Sequence, residues 1–284
     1  MILPNLIGLG AQRAGTTWLY KVLSSHPDVF LSAARKEIHF FDLDYARGLD
    51  WYSRFFPSVE EAGSYQWIGE ITPMYLFDPR VAQRIRNELP ECRFLVSLRQ
   101  PADRAYSQYG IAVRTSNEQR SFEQYLAEED DVFARGLYVE QLARYFKLFP
   151  RERFLVLIFE ELTAQPELAL RGVAEFLGID PAGFSSALES VGKTNESYRP
   201  KFARAYAMAH RFGLLLGRYQ LDGLINAAKR VGFPELFGRQ LESLQLDSEL
   251  RDRLTARYAA DIRQLEDLLD RPLSLWLSGA GDAA

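Results

Sequence analysis

The residues best suited to chemistry lie near the amino terminus, in a glycine-containing segment that follows a short apolar run. The segment Gly10-Ala-Gln-Arg-Ala-Gly15-Thr16-Thr17-Trp18 joins a predicted strand, Leu6 to Leu9, to a predicted helix, Thr16 to Ser24. This order of strand, glycine loop and helix binds phosphate through backbone N–H groups and the helix amino terminus. A simple turn would explain the two glycines but not Arg13 with two threonines, so we interpret the segment as a phosphate-binding loop.

Two positions argue against a magnesium-dependent ATPase or GTPase. The loop nearly fits the pattern G-x-x-x-x-G-K-[ST], but Thr16 stands where the lysine belongs. Arg99 ends a later predicted strand, where a metal-binding NTPase carries an aspartate. The three histidines and the single cysteine show no metal-ligand spacing, so the sequence predicts no metal.

A second candidate anion site follows the predicted strand Arg93 to Leu98. Arg99 stands at the carboxyl end of this strand, where doubly wound sheets bind ligands. Ser107 lies about two helical turns further on, so its hydroxyl could share an anion with the guanidinium. A helix-cap region with surface arginines would explain the same residues, and this pattern by itself favours neither interpretation.

Together the two segments resemble the sulfotransferases that use 3′-phosphoadenosine 5′-phosphosulfate (PAPS). In that family the glycine loop holds the 5′-phosphosulfate, and an arginine and a serine hold the 3′-phosphate. The resemblance implies PAPS as the sulfuryl donor, adenosine 3′,5′-bisphosphate (PAP) as the product, and no metal. The nucleotide-binding residues that it implies are Arg13, Ala14, Gly15, Thr16, Thr17, Trp18, Arg99 and Ser107.

The stretch between the two motifs is similar to the heparan sulfate sulfotransferases and their bacterial relatives. Lys36-Glu37-Ile-His39-Phe40-Phe41-Asp42 and Gly69-Glu70-Ile71-Thr72-Pro73-Met-Tyr75 carry this similarity. It implies that Glu37 is the general base, with Arg13, Lys36 and His39 in the same catalytic group. Heparan-type enzymes carry a lysine where this chain has Ile71, so Arg13 or Lys36 would have to supply the missing charge.

The residues around Glu37 allow a prediction of their own. Phe40, Phe41 and Trp51 are apolar neighbours whose burial would raise the pKa of the Glu37 carboxyl. The alternative is a surface carboxylate paired with Lys36. His39 either positions the acceptor or is a structural histidine, and the sequence favours neither.

A polar, basic segment late in the chain is a further candidate for nucleotide binding. Lys193, Tyr198 and Arg199 belong to it, and in the family such a loop closes over the nucleotide. A solvated connection before the last helices explains these residues equally well.

Short apolar runs that alternate with helical patterns predict an α/β fold with a central parallel sheet and helices on both faces. The further predicted elements are strands at Trp67 to Ile71 and Phe154 to Phe159, and helices at Pro79 to Glu88, Ala102 to Arg114 and Pro166 to Leu177. We expect a single domain, with an α/β core over 1–200 and a helical flank over 201–275. Nothing in 201–270 reads as a strand, and Glu242 to Leu269 is amphipathic. The helices over 202–241 form an acceptor lid, a dimer face or, as we favour, a packing flank.

The composition limits the function classes. The chain has 284 residues, of which 47% are hydrophobic and 25% charged, as in an ordinary globular protein. Its net charge of −4 gives no general attraction to nucleic acid. The single cysteine, Cys92, suits a reducing compartment. No apolar run approaches the roughly 20 residues of a membrane span. The amino terminus also lacks the basic region of a signal peptide. These features predict a cytoplasmic protein.

The sequence therefore favours a PAPS-dependent sulfotransferase acting on a hydroxyl, or less readily an amine, of a small metabolite, lipid or glycan. Two alternatives stay open at this stage. One is a small-molecule kinase, which lacks its loop lysine and metal-binding carboxylate here. The other is a nucleotide-binding module without catalytic activity.

Overall fold

The computed structural model describes residues 1–116, 118–185, 198–200, 238–240 and 246–277. Within these residues, five parallel strands form the main sheet. They are β1 (Leu6–Gly10), β2 (Val29–Leu31), β3 (Trp67–Ile71), β4 (Arg93–Leu98) and β5 (Phe154–Ile158). Their order across the sheet is β2-β3-β1-β4-β5. The prediction of an α/β fold with a central parallel sheet is confirmed.

Helices cover both faces of this sheet. They are α1 (Thr16–Leu23), α2 (Gly48–Ser53), α3 (Val59–Ala62), α4 (Val81–Glu88), α5 (Pro101–Thr115), α6 (Phe122–Glu128), α7 (Asp130–Ala134), α8 (Tyr138–Phe146), α9 (Phe159–Ala164), α10 (Pro166–Leu177), α11 (Ser248–Leu269) and α12 (Ser274–Leu277). A π-helical turn spans Phe40–Asp44, and 3₁₀ turns span Tyr45–Arg47, Arg151–Arg153 and Pro181–Phe184.

The two faces of the sheet build two separate hydrophobic cores. One core packs α1 and α10 against Leu6, Ile71 and Leu95. The other packs α4, α8 and α11 against the opposite side of the same strands, which carries Ile7 and Phe94. Since successive strand residues point to opposite faces and both faces are covered, the strands read as continuous apolar runs.

The strand order brings three loops to one edge of the sheet. β1 lies between β3 and β4 and is parallel to both. The chain leaves β1 for β2 on one side and later crosses from β3 to β4 on the other, so the order of connections reverses between β1 and β4. Doubly wound sheets bind their ligands at such a reversal, in the crevice outside the carboxyl ends of the strands.

One prediction about the C-terminal part is wrong. The predicted absence of strands over 201–270 fails because Gly238–Gln240 (β7) pairs antiparallel with Tyr198–Pro200 (β6). Three residues are too few to show the alternating pattern by which a strand is recognised. The amphipathic stretch Glu242 to Leu269 contains the long helix α11, which begins at Ser248. The Asp247 side chain accepts a hydrogen bond from the Leu250 N–H, 3.0 Å away, and caps the helix there.

The part of the predicted helical flank over 201–237 lies outside the described residues. The part that is described, α11 and α12, packs directly on the sheet's helical layer. Its buried side chains Leu254, Tyr258 and Ile262 belong to the same core as Phe94. No helix of the described ranges is long and apolar enough to cross a membrane.

Candidate active site

The glycine loop between β1 and α1 has a shape that requires glycine at two positions. Gly10 and Gly15 have φ values of +136° and +81°, a region that residues with a Cβ rarely adopt. A Cβ on Gly10 would lie 2.5 Å from the Pro73 carbonyl oxygen, and one on Gly15 would lie 2.8 Å from the Phe159 ring. The loop is therefore in close contact with the segments that follow β3 and β5.

Hydrogen bonds fasten the loop to β4. The Ala11 N–H donates to the Ser97 carbonyl over 2.6 Å, and the Ser97 hydroxyl donates to the Ala14 carbonyl over 2.6 Å. Gly15 is the N-cap of α1, so no side chain caps the N–H groups of the first turn, which starts at Thr16. These N–H groups form an anion-binding end of the helix. Of the other loop residues, Thr17 is exposed and Trp18 half-buried.

The two predicted anion-binding segments meet at this edge of the sheet. Arg13 Nε donates a hydrogen bond of 3.0 Å to Ser107 Oγ, across 94 positions of sequence. Arg99 Nη1 lies 3.4 Å from the Arg13 carbonyl oxygen, and its guanidinium stacks 4.8 Å from the centre of the Phe159 ring. The structure therefore brings Arg13, Arg99 and Ser107 into a single cluster in the crevice between β1 and β4.

This cluster concentrates positive charge. Burial and the charges of Arg114, Arg99 and Arg104 together lower the pKa of Arg13 to about 10, while the charge of Glu37 acts in the opposite direction. Several guanidinium groups held together in a half-buried site repel one another, and a bound anion of more than one charge relieves that repulsion. The chemistry of the cluster is that of a receptor for a phosphate or sulfate ester.

The second half of the site is the segment that follows β2. Lys36 Nζ donates to Glu37 Oε1 over 2.8 Å, and His39 Nε2 lies 3.6 Å from Glu37 Oε2. His39 Nδ1 lies 2.8 Å from Asp42 Oδ2. Glu37 thus has a cation on each side, and His39 lies between two carboxylates.

The prediction that the pKa of Glu37 is raised is wrong. Burial does raise it, but interaction with His39 and the charge and hydrogen bond of Lys36 outweigh burial and hold the pKa at about 2. At 3.6 Å the contact with His39 is a charge pairing rather than a hydrogen bond. Phe40, Phe41 and Trp51 are buried, whereas the Glu37 side chain is 37% exposed. The surface ion pair with Lys36 is therefore the arrangement that the structure shows.

His39 is a cation at neutral pH in this arrangement. Burial lowers its pKa, but the hydrogen bond to Asp42, the interaction with Glu37 and the charges of both carboxylates together raise the pKa to about 9. A neutral imidazole acting as a base does not fit this environment. His39 instead fixes the position of Glu37 and can donate a hydrogen bond.

A buried carboxylate at the end of β3 anchors this segment. Glu70, 1% exposed, accepts hydrogen bonds from the hydroxyls of Tyr52, Thr72 and Tyr75 at 2.5, 2.7 and 2.8 Å. The Tyr75 hydroxyl in turn accepts from the backbone N–H of Phe40, 2.9 Å away. Glu70 thereby holds the turn that carries His39 and Asp42.

Some predicted residues lie apart from this cluster or outside the described part. Ile71 is 1% exposed and packs with Leu6 in the core on the face opposite Glu70, so it contributes no charge. Lys193 lies outside the described residues. For Tyr198 and Arg199 only the backbone is described, as part of β6.

Sequence reasoning missed two residues that shape the site, Ser97 and Phe159. Ser97 is a polar residue within the otherwise apolar strand β4, and such an exception is a detectable signal. Phe159 directly follows β5, at the same edge of the sheet as the glycine loop. Its contacts with Gly15 and Arg99 depend on tertiary structure, and no sequence pattern indicates them.

Comparison with known proteins gives a family match over most of the chain. The model of a family described as "Sulfotransferase domain" matches residues 3–198. Membrane-associated sulfotransferase kil1 from Dictyostelium discoideum is 33% identical over 138 residues, which cover 46% of this chain and 29% of that protein. Heparan sulfate glucosamine 3-O-sulfotransferase 6 from Homo sapiens is 31% identical over 184 residues, which cover 62% of this chain and 52% of that protein. The chain therefore spans about half the length, or less, of these curated relatives.

A solved structure shares the fold. The crystal structure of a sulfotransferase from Alicyclobacillus acidocaldarius matches with a TM-score of 0.71 at 28% sequence identity. The match covers 98% of this chain and 100% of that one.

Proposed function

This chain belongs to the sulfotransferase domain family, and from that membership we propose that it transfers a sulfuryl group from PAPS to a hydroxyl group of an acceptor. The observation that carries the proposal is the meeting of Arg13, Arg99 and Ser107 in the crevice between β1 and β4. This cluster joins the uncapped amino terminus of α1 to a second cationic site, as a nucleotide with phosphate groups at both ends requires.

The residues present fit such a nucleotide. The loop from Gly10 to Trp18 and the first turn of α1 would hold the 5′-phosphosulfate, and Arg99 with Ser107 would hold the 3′-phosphate. Burial and the nearby arginine charges both lower the pKa of Arg13, and a bound anion would offset this accumulation of positive charge, which supports the assignment. When bound, the donor supplies the sulfuryl group and a bisphosphate leaving group; these residues orient it and stabilise its negative charge.

Glu37 is the general base in this proposal. Its carboxylate is ionised at neutral pH, which is the state that accepts a proton from an acceptor hydroxyl. A carboxylate with a pKa of about 2 is a weak base. The 2.8 Å hydrogen bond from Lys36 Nζ is one cause of this low pKa. An anionic donor that attracts Lys36 weakens this bond, and the proton affinity of Glu37 then rises when the donor is present.

Two cationic side chains can stabilise the negative charge of the sulfuryl group during its transfer. Since Ile71 is packed in the core, Lys36 and Arg13 supply the positive charge that heparan-type enzymes take partly from a lysine at this position. The charge of Glu37 raises the pKa of Arg13, which shows that the glycine loop and the carboxylate are electrostatically linked.

The acceptor class follows less directly from the site. Two curated relatives at the same 31% identity are named a 3-O-sulfotransferase and an N-deacetylase/N-sulfotransferase, so a hydroxyl acceptor and an amine acceptor each have a counterpart among the relatives. A small metabolite, a lipid and a glycan remain the candidates, and the net charge of −4 disfavours a long polyanion. The cytoplasmic location predicted from the single cysteine stays a prediction.

The proposal is tested by calorimetry with PAP, ATP and GTP, first in EDTA and then with magnesium, followed by a turnover assay with PAPS and a panel of hydroxyl acceptors. We expect PAP to bind without metal, and ATP and GTP to bind weakly. Tighter binding of ATP with magnesium would favour the kinase alternative. Binding of PAP without turnover of any acceptor in the panel would favour the non-catalytic module.

A further inference from the structure

The peptide that carries Arg99 is held from both sides by groups outside the nucleotide site. Its carbonyl oxygen accepts a hydrogen bond from the Tyr138 hydroxyl over 2.8 Å. The N–H of the next residue, Gln100, donates to Glu160 Oε1 over 2.9 Å. Arg99 itself stacks on Phe159, the residue before Glu160.

The C-terminal helices complete this arrangement. Trp276 in α12 donates its indole N–H to the second carboxylate oxygen of Glu160 over 2.9 Å. The side-chain amide of Gln100 donates to Thr255 Oγ1 in α11 over 2.7 Å and to the Trp276 carbonyl over 3.4 Å. Gln100 and Trp276 are 1% and 0% exposed, so water does not replace these bonds.

The hydrogen-bonded group of Glu160, Gln100 and Trp276 forms a brace behind Arg99, and Gln100 links this brace to α5, the helix that carries Ser107. Its side-chain oxygen accepts from the Asp103 N–H over 2.8 Å and caps α5. Asp103 forms two hydrogen bonds of 3.0 Å with Arg251 of α11. Both predicted contacts to the 3′-phosphate, Arg99 and Ser107, therefore start from a backbone that α11 and α12 hold in place.

We infer that Glu160, Gln100 and Trp276 are positioning residues that aim Arg99 at the 3′-phosphate, so that the C-terminal helices are a functional part of the nucleotide site. The family match ends at residue 198, and α11 and α12 lie beyond it. The inference rests on the proposed function, because it takes Arg99 as the residue that binds the 3′-phosphate. A guanidinium displaced by about an ångström loses much of its contact with a fixed anion.

The test compares binding of PAP with binding of AMP, which lacks the 3′-phosphate. Trp276→Phe removes the indole N–H but keeps an aromatic ring in the core. Calorimetry should show PAP affinity falling about three- to tenfold, a part of the full Arg99 contact, while AMP affinity changes less than about twofold. Ile262→Val, a buried change on α11 outside the brace, should lower the melting temperature but leave the ratio of the two affinities unchanged.

Two further measurements separate positioning from mere packing. Glu160→Gln keeps one acceptor oxygen, which can serve either Gln100 or Trp276 but not both, and it should reproduce the selective loss. The double variant Glu160→Gln/Trp276→Phe should lie within about twofold of Trp276→Phe, because both changes break one shared hydrogen bond. Amide hydrogen exchange at Gln100 should accelerate in each variant without any nucleotide present.

The outcomes are distinguishable. Equal losses of PAP and AMP affinity, or unchanged exchange at Gln100 together with unchanged PAP affinity, would overturn the brace. Wild-type protein that binds PAP no more tightly than AMP would overturn the 3′-phosphate role of Arg99, and with it both the proposed site and the function of the brace.

Discussion

Replacing Glu70 by alanine should destabilise the protein severely, although this carboxylate touches neither predicted anion site. The substitution leaves the buried hydroxyls of Tyr52, Thr72 and Tyr75 without their common acceptor. Each buried hydrogen-bonding group left unpaired costs about 1–3 kcal/mol, so a loss of roughly 4 kcal/mol is expected. For a protein of this size that corresponds to a melting temperature lowered by about 8–16 °C.

Glu70→Gln is the matched control. Both tyrosine hydroxyls bond to the same carboxylate oxygen, Oε1, and an amide oxygen there retains both bonds. The amide nitrogen can donate to Thr72 Oγ1, whose hydroxyl accepts as well as donates. The cost near pH 4 should therefore be about 1 kcal/mol or less.

The same pair of variants has a predicted pH dependence. Burial raises the pKa of Glu70 above its ordinary value of 4.5, although the three hydroxyl groups act against this rise. A pKa that is higher in the folded state gives a stability contribution that is present below pH 4.5 and is lost as the pH rises through the folded pKa. Glutamine does not titrate, so Glu70→Gln should gain stability relative to wild type as the pH increases from 4 to 8.

Thermal denaturation of wild type and both variants at pH 4, 6 and 8 is the assay. The reasoning is refuted if Glu70→Gln is as unstable as Glu70→Ala, or if its deficit grows with pH, because either result would mean that the ionised carboxylate is the required form. A turnover assay adds a functional readout. In Glu70→Ala the Tyr75 hydroxyl, which accepts a hydrogen bond from the Phe40 N–H, loses its own acceptor, so the turn Phe40–Asp44 is held less firmly and the rate should fall.

Three further predictions concern the site itself. Arg99→Ala should weaken PAP binding about ten- to a hundredfold in calorimetry, as a lost charge-assisted contact does, while Arg253→Ala, an exposed control, binds like wild type; equal binding by both would mean that Arg99 is an ordinary surface arginine. Glu37→Gln should leave PAP affinity nearly unchanged but lower the turnover rate by about a hundredfold to ten-thousandfold, and a near wild-type rate would remove its assignment as the base. His39→Gln should be less stable than wild type at pH 6, and this difference should shrink as the pH rises from 6.5 through about 9. The reason is that a histidine with a raised pKa stabilises the fold only while its ring is protonated. A stability difference that stays constant to pH 10 in thermal denaturation would contradict the pairing of His39 with Asp42 and Glu37.

The sequence by itself determined the features that depend on neighbouring residues. Short apolar runs between helices indicated the parallel sheet, and four of the five strands lie within a residue of their predicted bounds. The glycine loop could also be predicted from the sequence. Its function depends on a backbone geometry that Gly10 and Gly15 permit and on α1, which follows the loop directly. β2, with three residues, was missed because a strand this short has no detectable period.

Tertiary structure decided how distant residues combine. Arg13 and Ser107 are 94 positions apart and meet only because β1 and β4 are neighbours in the sheet. The pKa of Glu37 depended on which cations lie beside it, and local sequence suggested burial among aromatic residues instead. The hydrogen bond from the Gln100 side chain to the Trp276 carbonyl spans 176 positions, and it exists because α11, which α12 follows, packs against α5 and α8. Contacts of this kind are set by the packing of whole elements, and no spacing within the sequence records them.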